Sequence, residues 1–190
     1  MSECLHKNLV LIKEISSVAH TCMDFLNFVD EAGQIQELIR KGESRTLEFK
    51  ETLSLDVKKG IKEKHIEISA LKTIVGFLNS EGGTLLIGVR DDGVCTGIEA
   101  EKEKFHKGIS DKLLLHMKNL LKNRIGEEFY PFIQYNIVDC GGKEVIRVDC
   151  IQSSVPCYLD NKEFYVRTNP ATDKLEGPKL VEYVKNHFGR

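Results

Sequence analysis

The stretch "LKTIVGFLNSEGGTLLIGV", residues 71–89, constrains the fold more than any other part of the chain. Upstream of it and into it, Ile66, Ala70, Ile74 and Phe77 recur on one helical stripe, with Leu71, Val75 and Leu78 beside them. A helix over 63–79 is therefore apolar over much of its girth, and such a helix has to be buried. "NSEGG" stops it. "TLLIGV" then runs apolar without alternation, the pattern of a short central strand rather than one with a wet face. A buried helix feeding a central strand points to an α+β domain in which a mixed sheet packs on that helix.

The remaining elements fit around this pair. Leu5, Leu9, Ile12, Ile15 and Ala19, then Met23, Leu26 and Val29, follow helical spacing over 5–40. "DEAGQ" breaks the pattern, with Asp30 as N-cap of a short helix over 31–41 that ends at Gly42. From Thr46 the period becomes two: Leu47 and Phe49 alternate with Glu48 and Lys50 as in a half-buried strand. "LSLDVKKGIKEKH" (53–65) reads as a polar loop, "RDDG" (90–93) as a turn, and "VCTGI" as the returning hairpin strand. One long helix is expected over 101–125. Two strands then flank the Gly141-Gly142 turn, "KEFYVRT" adds another, and a helix with Pro178 in its first turn closes the chain. Domain boundaries follow: a helical extension over 1–41 and a single domain over 42–190.

Charge limits the function classes. The chain carries 27 basic and 29 acidic side chains, so any polyanion surface must be a local patch. Residues 1–40 hold three of the basic and six of the acidic ones, which would suit a docking arm or a helical cover for one edge of the domain. No apolar run reaches membrane-spanning length, and the N-terminus lacks an A-x-A cleavage site. The six cysteines, at 4, 22, 95, 140, 150 and 157, match no zinc spacing and are expected to be reduced thiols in a cytoplasmic protein.

Several carboxylates could share a task. Glu43 precedes the 46–50 strand, Glu48 lies within it, and Asp91 and Asp92 follow the "LLIGVR" strand. Oxygen ligands held on rigid elements suit Mg²⁺ or Mn²⁺, and such an ion activates water and stabilises charge on a phosphodiester. Spacing alone also fits solvated acids at turns and on strand faces. For polyanions, Lys104, Lys107, Lys118 and Lys122 share a sector of the 101–125 helix, opposite Ile109, Leu113, Met117 and Leu120. Lys58, Lys59, Lys62 and Lys64 form a second cluster, and Lys50 and Arg167 sit in strands. Phosphate contacts of this kind position a strand without reading its sequence. Phe164 and Tyr165 could stack on a base, although alternation sends one of them to the core. His65, His106, His116 and His187 read as surface or packing residues.

Three blocks occur in order: "ESRTLEFKET", "GFLNSEGGTLLIGVRDDGVCTGI" and "FYVRTNPAT". Together they resemble the AlbA_2 domain of Schlafen type, a DNA-binding-type domain once grouped as a divergent AAA module. The resemblance spans about residues 42–188. It implies an α+β domain like one lobe of a Schlafen core, with bound nucleic acid, RNA or DNA, as partner. In RNA-cutting relatives it further implies a metal-dependent endoribonuclease acting on structured RNA such as tRNA. Their three carboxylates correspond to Glu43, Glu48 and Asp91, with Asp92 as the alternative, and the ion would be Mg or Mn. The same resemblance allows a non-catalytic DNA-binding regulatory module, and the 1–40 helices allow an interaction protein. Schlafen cores place two such lobes around one groove, which implies a homodimer for a single-lobe chain. ATP hydrolysis is not expected: "SEGGTLLIGV" lacks the lysine and the Ser/Thr of a P-loop.

Overall fold

A computed structural model of the chain describes residues 32–189, together with positions 13, 16, 18 and 23. Those four positions are helical and exposed; the rest of the helix expected over 5–29 lies outside the described residues. Helix α1 covers 32–41 and ends where Gly42 takes a positive φ of 71° and donates to Ile39 O. Strand β1 (Leu47–Lys50) follows, then a small hairpin of β2 (Leu55–Asp56) and β3 (Ile61–Lys62), and helix α2 (Lys64–Leu78). Next come β4 (Gly83–Ile87), α3 (Glu99–His106) and α4 (Ser110–Arg124). A 3-10 turn (Glu127–Phe132) leads into β5 (Ile133–Asp139) and β6 (Glu144–Cys150), and β7 (Phe164–Arg167), β8 (Thr172–Leu175) and α5 (Gly177–Phe188) complete the chain.

The main sheet has the order β1-β4-β6-β5. β1 runs parallel to β4, with Glu48 beside Leu85 and Lys50 beside Ile87; the other two pairings are antiparallel. Both faces of this mixed sheet are covered. Leu85, Ile87, Ile146 and Val148 meet Leu71, Ile74, Val75 and Leu78 of α2 and Leu113, Met117 and Leu121 of α4. Leu47, Phe49, Leu86 and Val145 pack on Ile35, Leu38 and Ile39 of α1. Two-sided cover explains the unbroken "TLLIGV" run: alternate residues of β4 serve different cores. Residues 32–41 thus close one face of the sheet. At the junction of α2 and β4 the chain approaches its neighbours closely. A Cβ on Gly83 would stand 2.5 Å from the Phe77 ring and 2.7 Å from Thr46 O, and one on Gly82 would stand 2.5 Å from Cys150 O.

Several expectations need correction. The 53–65 segment is not a plain loop, since β2 and β3 pair across Leu55–Lys62 and Asp56–Ile61. The 94–98 segment does not return as a strand beside β4; a single bridge, Val89–Cys95, closes the turn, and β6 takes the place next to β4. The long 101–125 helix is two helices, because Lys107 and Gly108 take left-handed φ values of 58° and 69°. Phe164 and Tyr165 are both buried, at 0% and 4% exposure. The β7–β8 ribbon is covered on both sides: the Phe164 ring meets Tyr183 of α5, and Tyr165 joins the α2 core. Neither ring is open to a base. The thiols are also not all reduced: Cys95 and Cys140, with Cα atoms 6.3 Å apart, form a disulfide, while Cys150 and Cys157 are buried and free.

Candidate nucleic-acid interface

The "ESRTLEFK" block folds into a polar knot at the sheet edge. β1 has a partner on one side only, so one edge of it carries unpaired amides. Glu43 meets this need: its Oε1 accepts from Phe49 N at 2.9 Å. Glu48 lies on the α2 face of β1 and is largely buried. Its Oε1 accepts from Lys50 Nζ, and its Oε2 accepts from Arg167 Nη1 at 2.9 Å. Arg167 then spans the knot. Nη2 donates to Ser44 O at 2.6 Å, Nε to Arg45 O at 3.1 Å, and Nη1 also to Thr172 Oγ1 at 2.8 Å. The guanidinium lies 4.9 Å from the centre of the Phe77 ring, with 1% of the side chain exposed. Two distant blocks of sequence are thereby locked together. The expectation that Arg167 contacts phosphate is corrected: its donors face inward and are satisfied by Glu48, Thr172 and two carbonyls.

The three carboxylates do not converge. Asp91 is exposed in the turn after β4, six residues beyond Leu85, the register partner of Glu48. Asp92 is bound by its own turn. It accepts from Arg90 Nε at 2.9 Å and from Val94 N at 3.2 Å, and Arg90 holds its carboxyl below the usual carboxylate range. Among the described residues no group of three or more His, Cys, Asp or Glu side chains is arranged to hold a metal ion. Both Glu48 oxygens are engaged by cations and Glu43 serves a backbone amide. The donor set of Glu43, Glu48 and Asp91 or Asp92 therefore does not fit Mg²⁺ or Mn²⁺ in this arrangement.

The lysines sort into two groups. Lys58 and Lys59 project from the turn of the β2–β3 hairpin, Lys62 lies on β3, and Lys104 comes from α3 to meet them. Its Nζ stands 2.7 Å from where a Cβ on Gly60 would be. Lys50 and Lys58 line one hollow. Lys59 pairs with Glu63 at 2.9 Å and Asp56 at 3.4 Å, and Lys62 with Glu67 at 3.0 Å. Lys58, Lys104, Lys107 and Lys118 form no ion pair among the described residues. Lys118 and Lys122 belong to α4, and Lys122 is paired with Glu127. The single-helix sector expected for Lys104, Lys107, Lys118 and Lys122 is lost at the Lys107–Gly108 break.

Two groups escaped the sequence reading. Glu101, 1% exposed, receives Leu53 N at 2.9 Å and the Ser54 hydroxyl, and so fastens the base of the lysine hairpin to α3. A buried glutamate in a charged helix leaves no periodic signal. His116 meets Glu67 at 2.8 Å and Lys62 at 2.9 Å, with the His106 ring centre 5.5 Å from its own. Burial, then the charges of His116 and Lys62, push the His106 pKa down, and its Nε2 has no partner.

Fold and surface together define an α+β domain with an acid–arginine knot at one sheet edge and a lysine-bearing hairpin beside it. The family model for Schlafen, AlbA_2 matches residues 43–176, and the chain belongs to that family. Among solved structures, the DIP2311 protein from Corynebacterium diphtheriae shares this fold, with a TM-score of 0.55 at 14% identity. That alignment covers 88% of this chain and 30% of the other, so the chain spans under a third of that protein's length. No curated protein matches the chain. No helix among the described residues is long and apolar enough to cross a membrane.

Proposed function

We propose that the protein is a nucleic-acid-binding module that holds a phosphate backbone along the β2–β3 hairpin and α3. The observation that carries this reading is the gathering of Lys58, Lys59, Lys62 and Lys104, from two elements, beside the end of β1 where Lys50 lies. Membership of the Schlafen AlbA_2 family supports it. Lys58 and Lys104 carry no carboxylate partner among the described residues and can neutralise phosphates, and Lys59 and Lys62 join them where a phosphate displaces Asp56, Glu63 and Glu67, even though the whole chain is slightly acidic. The reading is of binding without metal-dependent cutting. Cleavage by the three acids implied by the resemblance would require Glu48 to exchange Lys50 and Arg167 for an ion and Asp91 to leave its turn.

The test pairs two assays on the full chain. A Lys58→Glu/Lys104→Glu double variant should weaken RNA and DNA binding in gel-shift titrations by at least tenfold, with an unchanged unfolding midpoint. A structured RNA incubated with Mn²⁺ or Mg²⁺ should show no cutting that Glu48→Ala removes. Unchanged affinity in the double variant refutes the binding face. Glu48-dependent cutting refutes the non-catalytic reading and restores the nuclease.

A further inference from the structure

Between the lysine hairpin and α3 lies a hollow of about 420 Å³, within the range of about 300–1,000 Å³ usual for small-ligand sites. Leu55, Val57 and Ala100 give it apolar walls, and Glu51, Thr52, Thr96, Glu101 and Lys104 are its polar lining. Val57 also lines a second hollow of about 260 Å³, which reaches Lys50 and Lys58. Val57 and Ile61, on the same hairpin, are exposed at 55% and 49%. Val57 thus brings an accessible aliphatic surface to both hollows, as the apolar part of a ligand site requires. The base of a nucleotide is apolar on its faces and carries its charge on the attached phosphates. This hollow joins an apolar wall to the Lys104 ammonium, and Lys58 lines the neighbouring hollow that shares Glu51, Leu55 and Val57 with it.

Lys104 is the free donor of the lining and is left to phosphate, Glu101 already accepts from Leu53 N and the Ser54 hydroxyl, and the remaining free acceptor decides which base fits. Thr52 donates to Leu55 O at 2.6 Å and Thr96 to Gly88 O at 3.2 Å, so both hydroxyl protons are committed. Glu51 makes no hydrogen bond or ion pair with any described residue, although it acts electrostatically on Arg90. A carboxylate accepts through two oxygens and donates through neither. Guanine alone among the common bases presents two adjacent donors, N1–H and N2–H, on one edge. Adenine and cytosine set a ring acceptor beside their amino group, and uracil flanks its single N–H with two carbonyls; each of these turns a lone pair toward the carboxylate.

Resting on the nucleic-acid reading above, we propose that this hollow is a subsite for one unpaired guanine nucleotide. Val57 and Leu55 cover the base, Glu51 accepts from N1–H and N2–H, and Lys58 and Lys104 hold the flanking phosphates. The experiment is fluorescence anisotropy with a labelled oligouridine strand and the same strand carrying one central G or one central A. The G strand should bind about tenfold tighter than the all-U strand, in the range a bidentate base contact supplies, and the A strand less than threefold tighter. Glu51→Gln, an isosteric change at a partly exposed position, should bring the G advantage below twofold while keeping or raising affinity for the all-U strand. Equal binding of the three strands by the wild-type protein overturns the subsite and leaves the phosphate face standing. A G advantage that survives Glu51→Gln, or an equal advantage for A, also overturns it. Failure of every strand to bind overturns the nucleic-acid reading itself.

Discussion

Arg167→Met tests the knot most severely. The variant keeps most of the side-chain volume and removes a charge whose side chain is 1% exposed. Four hydrogen bonds go with it, to Glu48, Thr172, Ser44 O and Arg45 O, together with the contact to the Phe77 ring. Glu48 is left in place with its side chain only 15% exposed. Removing one partner of a buried ion pair costs about 3–5 kcal/mol, because the other charge stays behind uncompensated. Lys50 still neutralises Glu48 Oε1, which favours the lower end of that range. In a domain of this size about 1 kcal/mol moves Tm by about 2–4 °C, so the expected fall is roughly 6–20 °C. Urea unfolding with an unchanged m-value, alongside a thermal scan, measures it. Glu48→Met added to Arg167→Met should recover part of the loss, since it removes the stranded charge. A single variant within about 1 kcal/mol of wild type, with weakened nucleic-acid binding, would refute the knot and return Arg167 to the role of a phosphate contact.

Other outcomes follow from the same structure. The Cys95–Cys140 bond closes a 45-residue separation, so reduction or Cys95→Ser should lower stability by at most about 4 kcal/mol on the chain-entropy estimate; unfolding with and without dithiothreitol measures this. Burial raises the thiol pKa of Cys150 and of Cys157, so both should resist a thiol reagent until the protein unfolds. His106 is held neutral in the folded protein while the unfolded chain takes a proton below about pH 6.5. Its stabilising contribution is therefore complete above that pH and is lost as pH falls toward the lowered folded value. The groups around it are His116 of α4, Lys62 of β3 and, through His116, Glu67 of α2. Between pH 7 and 5.5 the urea midpoint of wild type should fall more than that of His106→Asn; parallel falls would contradict this. Glu101→Ala should free the hairpin base and make the 53–63 segment protease-sensitive while α2 stays protected.

The fold was legible wherever one physical requirement fixed a local pattern. The apolar girth of 63–79 and the unbroken run 84–89 identified a buried helix and a central strand, and Gly141-Gly142, with φ values of 67° and 84°, gave the β5–β6 turn. What escaped depended on contacts between distant segments. Nothing in the local sequence tells that Lys107 takes a left-handed conformation and splits a continuous helical pattern. The β7–β8 ribbon defeats alternation because helices cover both of its sides. At the candidate site the sequence identified the blocks that come together but not the partners their charges take. Glu43, Glu48 and Arg167 are the polar residues a metal or phosphate site would use, and they are equally those an edge strand uses to satisfy a free amide and tie down a neighbouring ribbon. Only their partners distinguish the two, and those partners lie 119 to 123 residues away for Arg167. The β2–β3 lysines were found by composition, whereas their meeting with Lys104 over Gly60 needed the fold.

The hairpin and α3 together make the proposed phosphate-holding face. The salt dependence of single-stranded RNA binding, measured between 50 and 200 mM salt on the full chain, tests it most directly. With Lys58 and Lys104 each neutralising a phosphate, and Lys59 and Lys62 doing so where phosphate displaces their acidic partners, log K should fall linearly with log salt at a slope of about −1.5 to −3. Lys58→Glu/Lys104→Glu should flatten that slope by more than one unit. Binding that does not change with salt, or a slope untouched by the double variant, would contradict it.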